Sequence, residues 1–157
     1  MSELAVREAE RGDARRIAVL LTQLGYPATG GQVSERLDYW RPDPLSVILV
    51  AELAGRVVGC LSLHAIPYLE RTGRWARIES LVVDENVRGS GAGRSLIAAA
   101  EDTARRWGCL AVEVTSARSR AAAHAFYQHL GYRDSCDSSG RFLKSLDPTA
   151  GTGQPTA

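Results

Sequence analysis

The chain has 157 residues, 45% of them hydrophobic and 24% charged, with a formal net charge of +1. That length favours one domain burying roughly 70% of its unfolded surface, so a core needs no disulfide or metal staple. The charge excludes the basic excess of a dedicated nucleic-acid binder, and Lys144 is the only lysine among 19 basic residues, so no lysine-rich localisation or membrane-binding cluster exists.

Cys60, Cys109 and Cys136 are too scattered for a disulfide framework or a CxxC metal site. Cys60 and Cys109 sit in apolar runs and are expected to be buried packing residues. A reducing cytoplasm fits that usage. The chain turns charged after Ser2 and Glu3, which gives no signal-peptide core. No apolar run approaches the ~20 residues that span a bilayer.

In chain order, Leu4 to Glu8 alternates and reads as a strand. Asp13 is placed to cap a helix whose stripe is Ile17, Leu20, Leu21 and Leu24, stopped by Gly25 and Pro27. A weaker helix carries Val33, Leu37 and Trp40 on one side and ends before Pro42. Ser46 to Glu52 and Val57 to Ala65 are β-rich and read as a hairpin around Leu53-Ala54-Gly55-Arg56. Pro67 to Gly73 is a polar loop. Arg74 to Val83 is a strand whose alternation puts Trp75, Arg77, Glu79 and Leu81 on one side, and Ala76, Ile78, Ser80 and Val82 on the other.

A helix from about Gly91 to Trp107 follows, with Leu96, Ile97, Ala100 and Ala104 inward and Gly108 as its C-cap. Leu110 to Val114 is a strand, and Arg120 to Leu130 a helix with Ala123, Phe126 and Leu130 on its stripe. Tyr132 to Cys136 and Arg141 to Leu146 are expected to form a final hairpin. Residues 147–157, rich in Gly, Pro and Thr, are expected to be a disordered tail. There is no internal repeat. The order β-α-α-β-β-β-α-β-α-β-β describes one mixed α/β domain over residues 1–146.

The most informative stretch runs from Leu81 to Leu96: an apolar strand, three alternating glycines and an amphipathic helix. Glycines let backbone N–H groups approach a ligand without a Cβ in the way. The first N–H groups of a helix lack internal partners and lie at the positive end of its dipole. Together they make a receptor for phosphate oxygens, flanked here by Arg88 and Arg94. A P-loop would need a lysine that is missing, and a dinucleotide fingerprint a glycine where Arg94 stands. Glu113, about 20 residues on, does mimic the acid that holds a ribose. A glycine turn without a ligand is the bland alternative.

Arg88-x-x-Gly91-x-Gly93 resembles the Q/R-x-x-G-x-G/A acetyl-CoA motif of the GNAT superfamily of N-acetyltransferases. It follows Ile78-Glu79-Ser80-Leu81-Val82-Val83 and precedes a helix, as in that family. A second family-like segment, Ala123-x-x-Phe126-Tyr127-x-x-Leu130-Gly131-Tyr132, lies downstream. The resemblance spans residues 4–146. It implies a mostly antiparallel, splayed central sheet flanked by helices, with acetyl-CoA as co-substrate. The pyrophosphate cradle would fall on the backbone of Arg88, Gly89, Ser90, Gly91, Ala92, Gly93 and Arg94, with Ser95 adjacent. The backbone of Leu81, Val82 and Val83 would run beside the pantetheine arm like an added strand, and the Val83 N–H would polarise the acetyl carbonyl. Where many relatives carry asparagine this chain has Arg120, which replaces the usual pantetheine contact and could reach a CoA phosphate.

Acetyl transfer to an amine needs a proton removed from an ammonium of pKa ~10.4, a stabilised thioester oxygen and a proton donor for the leaving thiolate. The resemblance makes Tyr127 the donor; a packing role beside Phe126 is the alternative. Glu79 is the candidate base, directly or through water, unless it merely pairs with Arg77 or Arg74. His124, one helical turn from Tyr127, is a possible relay, His64 could line the acceptor site, and His129 is read as a surface residue. No cluster suggests a metal. The amine acceptor would be read by the first two helices, the loop Pro67 to Gly73 and the final hairpin, with Tyr26, Tyr39, Trp40, Tyr68 and Trp75 as an aromatic wall or as core. A non-catalytic acetyl-CoA-binding regulatory module and another nucleotide-binding domain are the rivals. The superfamily's habit of dimerising and the sheet edges imply a homodimer.

Overall fold

The computed structural model describes residues 3–116, 119–136 and 138–149. The chain divides into two compact units, Met1–Val114 and Thr115–Ala157. The first unit holds a five-stranded sheet in the order β1 (Leu4–Glu8), β2 (Ser46–Leu53), β3 (Arg56–Pro67), β4 (Arg74–Val83), β5 (Cys109–Val114). Strands β1 to β4 are antiparallel in succession, and β5 runs parallel to β4. The β2–β3 turn holds Ala54 at φ 52° and Gly55 at φ 75°, two successive left-handed residues of the kind that match the twist of a tight hairpin.

Helices α1 (Ala14–Leu24) and α2 (Gly30–Trp40) bury Ile17, Leu20, Val33 and Leu37 in a cluster with Val50, Cys60 and Val82 of the sheet. Gly25 at φ 104° ends α1 in the left-handed conformation, and Thr29 caps α2 in a reciprocal box with Gln32. Helix α3 (Ala92–Arg106) crosses the opposite face, where a Cβ on Gly59 would come within 3.0 Å of Leu96 Cδ1. That glycine lets α3 sit directly on β3. Strand β3 is buried on both faces from Val57 to Leu63, which marks it as the centre of the core.

In the second unit α4 (Ala121–His129) ends at Gly131, in the left-handed region at φ 91°. The hairpin expected at Tyr132 to Cys136 and Arg141 to Leu146 is absent: the described residues there form no strand, and Phe142, Leu143 and Leu146 are exposed. Alternation alone does not make a strand; a partner must be present to bond its backbone. Of the expected tail, residues 150–157 lie outside the described residues, and Asp147 accepts from the N–H of Thr149 in a local turn.

Asp13 does not cap α1 with its side chain. Its carboxylate accepts from the Glu10 N–H at 2.8 Å and from Arg7 at 2.7 and 3.0 Å, while Arg7 also donates to Glu52 at 2.9 Å. One guanidinium thereby ties β1, β2 and the entry to α1. The Arg7 hydrogen bonds hold Asp13 below the usual carboxylate range against the opposing effect of burial. The unfolded chain therefore binds the proton more readily. The stabilisation is complete above about pH 4 and is lost as pH falls through the lower, folded value. Asp13→Asn is expected to cost about 2 kcal/mol at neutral pH and to flatten the decline of the urea midpoint on acidification. An unchanged decline in the variant would assign acid sensitivity to other carboxylates.

Candidate active site

Strand β4 changes character at Glu79. Ser80 pairs with Ser62 and Ile78 with Leu63, so Glu79 is an extra residue, a β-bulge. Directly opposed residues of an antiparallel ladder share a face. Ala76, Ile78, Leu81 and Val83 therefore face the side of Gly59, Leu61, Leu63 and Ala65, beneath α3, while Trp75, Arg77, Ser80 and Val82 share the face of Cys60, Ser62 and His64. The regular alternation expected across Arg74 to Val83 is thus corrected: the inserted residue reverses it, and Leu81 leaves the side of Trp75 and Arg77.

The bulge coincides with the end of the β4–β5 ladder. Pairing with β5 stops at Ile78 opposite Val114, and among the described residues no strand is registered against that side of β4 from Glu79 to Val83. The N–H of Asp84 donates to the Val58 carbonyl at 2.7 Å. Because backbone groups alternate along an antiparallel ladder, those of Val82 and Ser80 also face β3, and those of Leu81 and Val83 face the open side. Of the three residues expected beside a pantetheine arm, Leu81 and Val83 turn their backbone groups toward that open side and Val82 does not.

Beyond β4 a short 3-10 turn, Glu85–Val87, leads into the glycines. Arg88, Gly89, Ser90 and Gly91 are exposed, with Gly89 at φ 84° and Gly91 at φ 87°; the left-handed Gly91 is the N-cap of α3. The helical ladder starts with the Ser95 N–H bonded to the Gly91 carbonyl at 3.0 Å. The N–H groups of Ala92, Gly93 and Arg94 precede it, at the positive end of a 15-residue helix. Ser95 spends its N–H within the helix, leaving its hydroxyl as the group it can offer. Nothing lies within 4 Å of a Cβ built on Gly91. The residues present thus fit a pyrophosphate group: leading amides, an open approach and the exposed side chains of Arg88 and Arg94.

Glu79 is half exposed, 3.9 Å from His64 Nε2 and 3.7 Å from Arg77 Nε through Oε2. Arg77 also donates to Glu113 at 2.6 Å, so the acid that mimicked a ribose holder is engaged by an arginine of the neighbouring strand. The His64 ring lies 5.7 Å from that of Trp40. The Tyr68 ring lies 4.8 Å from that of Trp75, with the Arg71 guanidinium 4.8 Å from the Tyr68 centroid. Among the described residues, His64 Nε2 and Trp75 Nε1 are buried ring nitrogens without a hydrogen-bond partner. Among the five aromatic residues expected at the acceptor side, Trp40 meets His64 and Tyr68 meets Trp75 in two separate tilted pairs, whereas Tyr26 and Tyr39 are exposed. A recess of 620 Å³ between β1, β2, α2 and α3 is lined by Trp40 but by none of the residues expected to hold acetyl-CoA or to carry the transfer.

Cys60 is buried, and that burial pushes its thiol up to about 12, which makes it inert as a nucleophile. Cys109 is half-buried rather than a core residue. In the second unit, Tyr127 lies edge-on to Phe126 at 5.4 Å and to Tyr132 at 6.0 Å. Burial raises its phenol above the usual value, against a smaller opposing effect from the Arg120 charge. His124 sits on the same helix, its N–H bonded to the Arg120 carbonyl at 3.1 Å, and His129 is exposed at the helix end. Among the described residues no cluster of His, Cys, Asp or Glu could hold a metal ion, and no helix is long and apolar enough to cross a membrane.

Sequence reasoning missed Asp84, Arg16 and Gln23. The first is buried just before the turn and accepts from the other two. Asp84-Glu85-Asn86 carries a local signal, since an Asp that accepts from the amide two residues on starts a turn.

Comparison with known proteins agrees with this geometry. A model of the acetyltransferase (GNAT) family matches residues 14–132. The chain is 31% identical over 135 residues to a glucosamine 6-phosphate N-acetyltransferase of Trypanosoma brucei brucei, covering 83% of this chain and 90% of that protein. It is 38% identical over 92 residues to an aminoalkylphosphonate N-acetyltransferase of Salmonella typhimurium, covering 59% of this chain and 58% of that protein, under two thirds of that relative's length. The crystal structure of a Trypanosoma brucei acetyltransferase superposes with a TM-score of 0.72 at 29% identity, covering 92% of this chain and 99% of that one. A family match over most of the chain, on a sheet whose fourth strand ends in an open edge and a glycine turn, places the chain in the acetyltransferase (GNAT) family.

Proposed function

We propose that this chain transfers the acetyl group of acetyl-CoA to a primary amine of a small molecule or peptide by direct attack on the thioester. The observation that carries this reading is the junction of the open β4 edge with the glycine turn: backbone groups at Leu81 and Val83 followed by the leading amides of α3. We take both units as parts of one catalytic domain over residues 1–146, because the family match runs across their boundary at Val114.

Bound acetyl-CoA supplies the thioester carbonyl and a thiolate leaving group. Arg88 to Arg94 hold the pyrophosphate, assisted by the Ser95 hydroxyl, and Arg120 serves a CoA phosphate. Leu81 and Val83 hold the pantetheine amides, and the Val83 N–H stabilises charge developing on the carbonyl oxygen. Glu79, half exposed on its bulge, takes the proton of the amine directly or through water. Tyr127, whose phenol burial keeps protonated, gives a proton to the sulfur. The relatives' names, glucosamine 6-phosphate and aminoalkylphosphonate, each join an amine to a phosphorus oxyanion. Amines of that kind head the acceptor panel, read by release of free CoA thiol. A cytoplasmic location rests on the free thiols of all three cysteines.

Acetyl-CoA should stabilise the protein against heat, by ~2.7 kcal/mol at a hundredfold excess over Kd, while NAD and ATP do little. Gly91→Val should abolish that shift relative to its own unliganded melting point, since a branched side chain enters the open approach and is strained at φ 87°. A larger shift with NAD would sink the reading.

Tyr127→Phe keeps the ring and deletes the hydroxyl. Turnover should fall by ~10²–10⁴, the worth of a positioned acid, with acetyl-CoA affinity barely changed. Near-normal turnover would return Tyr127 to packing beside Phe126. The defect of Glu79→Gln should shrink from about pH 6 to about pH 10, because an amine already free needs no base; a pH-independent defect argues against Glu79 as base. The strand edges at β1 and β5 also suit a homodimer. Light scattering should then give twice the monomer's 16.9 kDa, and the monomer mass at micromolar concentration would refute it.

A further inference from the structure

We infer that Asp84, held by Arg16 and Gln23 of α1, is a positioning residue that sets the glycine turn for acetyl-CoA. The inference rests on the reading of that turn as the pyrophosphate cradle. Asp84 is the hinge between two regimes of backbone. Its N–H still belongs to the sheet, donating to Val58 at 2.7 Å, and its carbonyl starts the turn by accepting from the Val87 N–H at 3.0 Å. The next step of the same path is the Ser90 N–H donating to the Val87 carbonyl at 3.2 Å, one residue before the left-handed Gly91.

The side chain reinforces this path. Asp84 is 4% exposed, and its Oδ2 accepts from Arg16 Nη2 at 2.7 Å. Its Oδ1 accepts from the N–H and the Nδ2 of Asn86, both at 3.0 Å, and from Gln23 Nε2 at 3.4 Å. Gln23 Oε1 accepts the Glu85 N–H at 3.0 Å, and Arg16 Nε donates to the Val57 carbonyl at 3.0 Å. Two consecutive amides of the turn, Glu85 and Asn86, are thereby pinned to α1 and to a carboxylate that α1 holds. The turn cannot shift without breaking charge-assisted bonds.

The charge itself needs an explanation, since a buried carboxylate seven residues before the helix cap of an anion site works against anion binding. Arg16 supplies the compensating charge from the α1 side, and its fork satisfies both the carboxylate and a β3 carbonyl. Lysine offers a single nitrogen in place of that planar fork.

The test compares Asp84→Asn, Arg16→Lys, Arg16→Met and Gln23→Leu. Backbone amide exchange of Glu85 to Gly91 is measured without ligand, acetyl-CoA binding by calorimetry, and KM and kcat with an active amine. Asp84→Asn and Arg16→Met should speed exchange of the Glu85 and Asn86 amides, and raise both Kd and KM for acetyl-CoA, by about tenfold or more. The kcat at saturating acetyl-CoA should stay within about threefold. Arg16→Lys should recover part of the loss. Should Asp84→Asn fail to fold, Gln23→Leu, which retains the ion pair and frees the Glu85 amide, should still raise Kd measurably. Lower stability with unchanged Kd, KM and turn exchange would overturn the inference and leave Asp84 a structural ion pair. Wild-type protein that binds no acetyl-CoA would instead overturn the cradle reading on which it rests.

Discussion

Strand β4 has to serve two partners along its length, and the molecule is organised around where it stops serving the second. From Arg74 to Ile78 it is bonded on both sides, by β3 and by β5. A parallel partner can follow it only as far as Val114, where β5 ends. The bulge at Glu79 falls at this boundary, one residue beyond the last β5 pair. Bulges locally increase twist, and a strand that twists more steeply diverges from a straight neighbour. The inserted residue both turns the outer half of β4 toward a different environment and frees Glu79 from a paired position. Open edge and half-exposed carboxylate are therefore two consequences of a single extra residue.

An open edge is costly to keep in a folded protein, because unbonded N–H and C=O groups lose solvation when shielded. The structure confines this cost to the stretch Glu79 to Val83, and then hands the chain to a turn whose first amides are held by Gln23 of α1 and by Asp84. The buried Asp84 is the means of transfer. Replacing such an ion pair by apolar side chains is often no loss of stability, so its presence points to geometry rather than to stability as its role. Apolar groups could fill the same volume beside α1, but none could hold the Asn86 amide in place.

Much of this was legible in the sequence, and what was not has a common cause. The run Leu81-Val82-Val83 into Gly89, Gly91 and Gly93 shows strand, turn and helix through local patterning alone, and the elements found there match to within a residue or two. Glu79 was noticed as a strand residue, yet alternation with period two carried Leu81 to the wrong face, because a bulge leaves no mark in the strand's own residues. It is defined by the register with β3. Arg16 was equally silent: its partner lies 68 residues away, and on the helix it looks like any solvent-facing arginine. The pattern Arg141 to Leu146 misled in the opposite sense, with alternation present and no strand in the described residues.

The two halves of the proposed reaction are built from different materials, backbone on one side and side chains on the other. The acetyl-CoA side uses backbone groups and glycine conformation, with Asp84 behind them, and such features survive wide change in the surrounding side chains. In that proposal the acceptor side would be made of side chains: His64, Arg77 and Glu79 on the β3–β4 face, with the Trp40 and the Tyr68–Trp75 rings nearby. A substitution at any of these alters charge or shape where an amine would lie, without disturbing the cradle. The proposed cradle, built of backbone, would therefore tolerate identities such as the 29% to 38% of the relatives described, whereas the proposed acceptor side would not. On the proposed reading, discrimination between amines would fall to groups such as Arg77, whose charge is already shared with Glu113 and Glu79. An anionic acceptor would have to compete with those two carboxylates for it, so the strength of that competition sets how strongly the site can favour a phosphorylated amine over a neutral one.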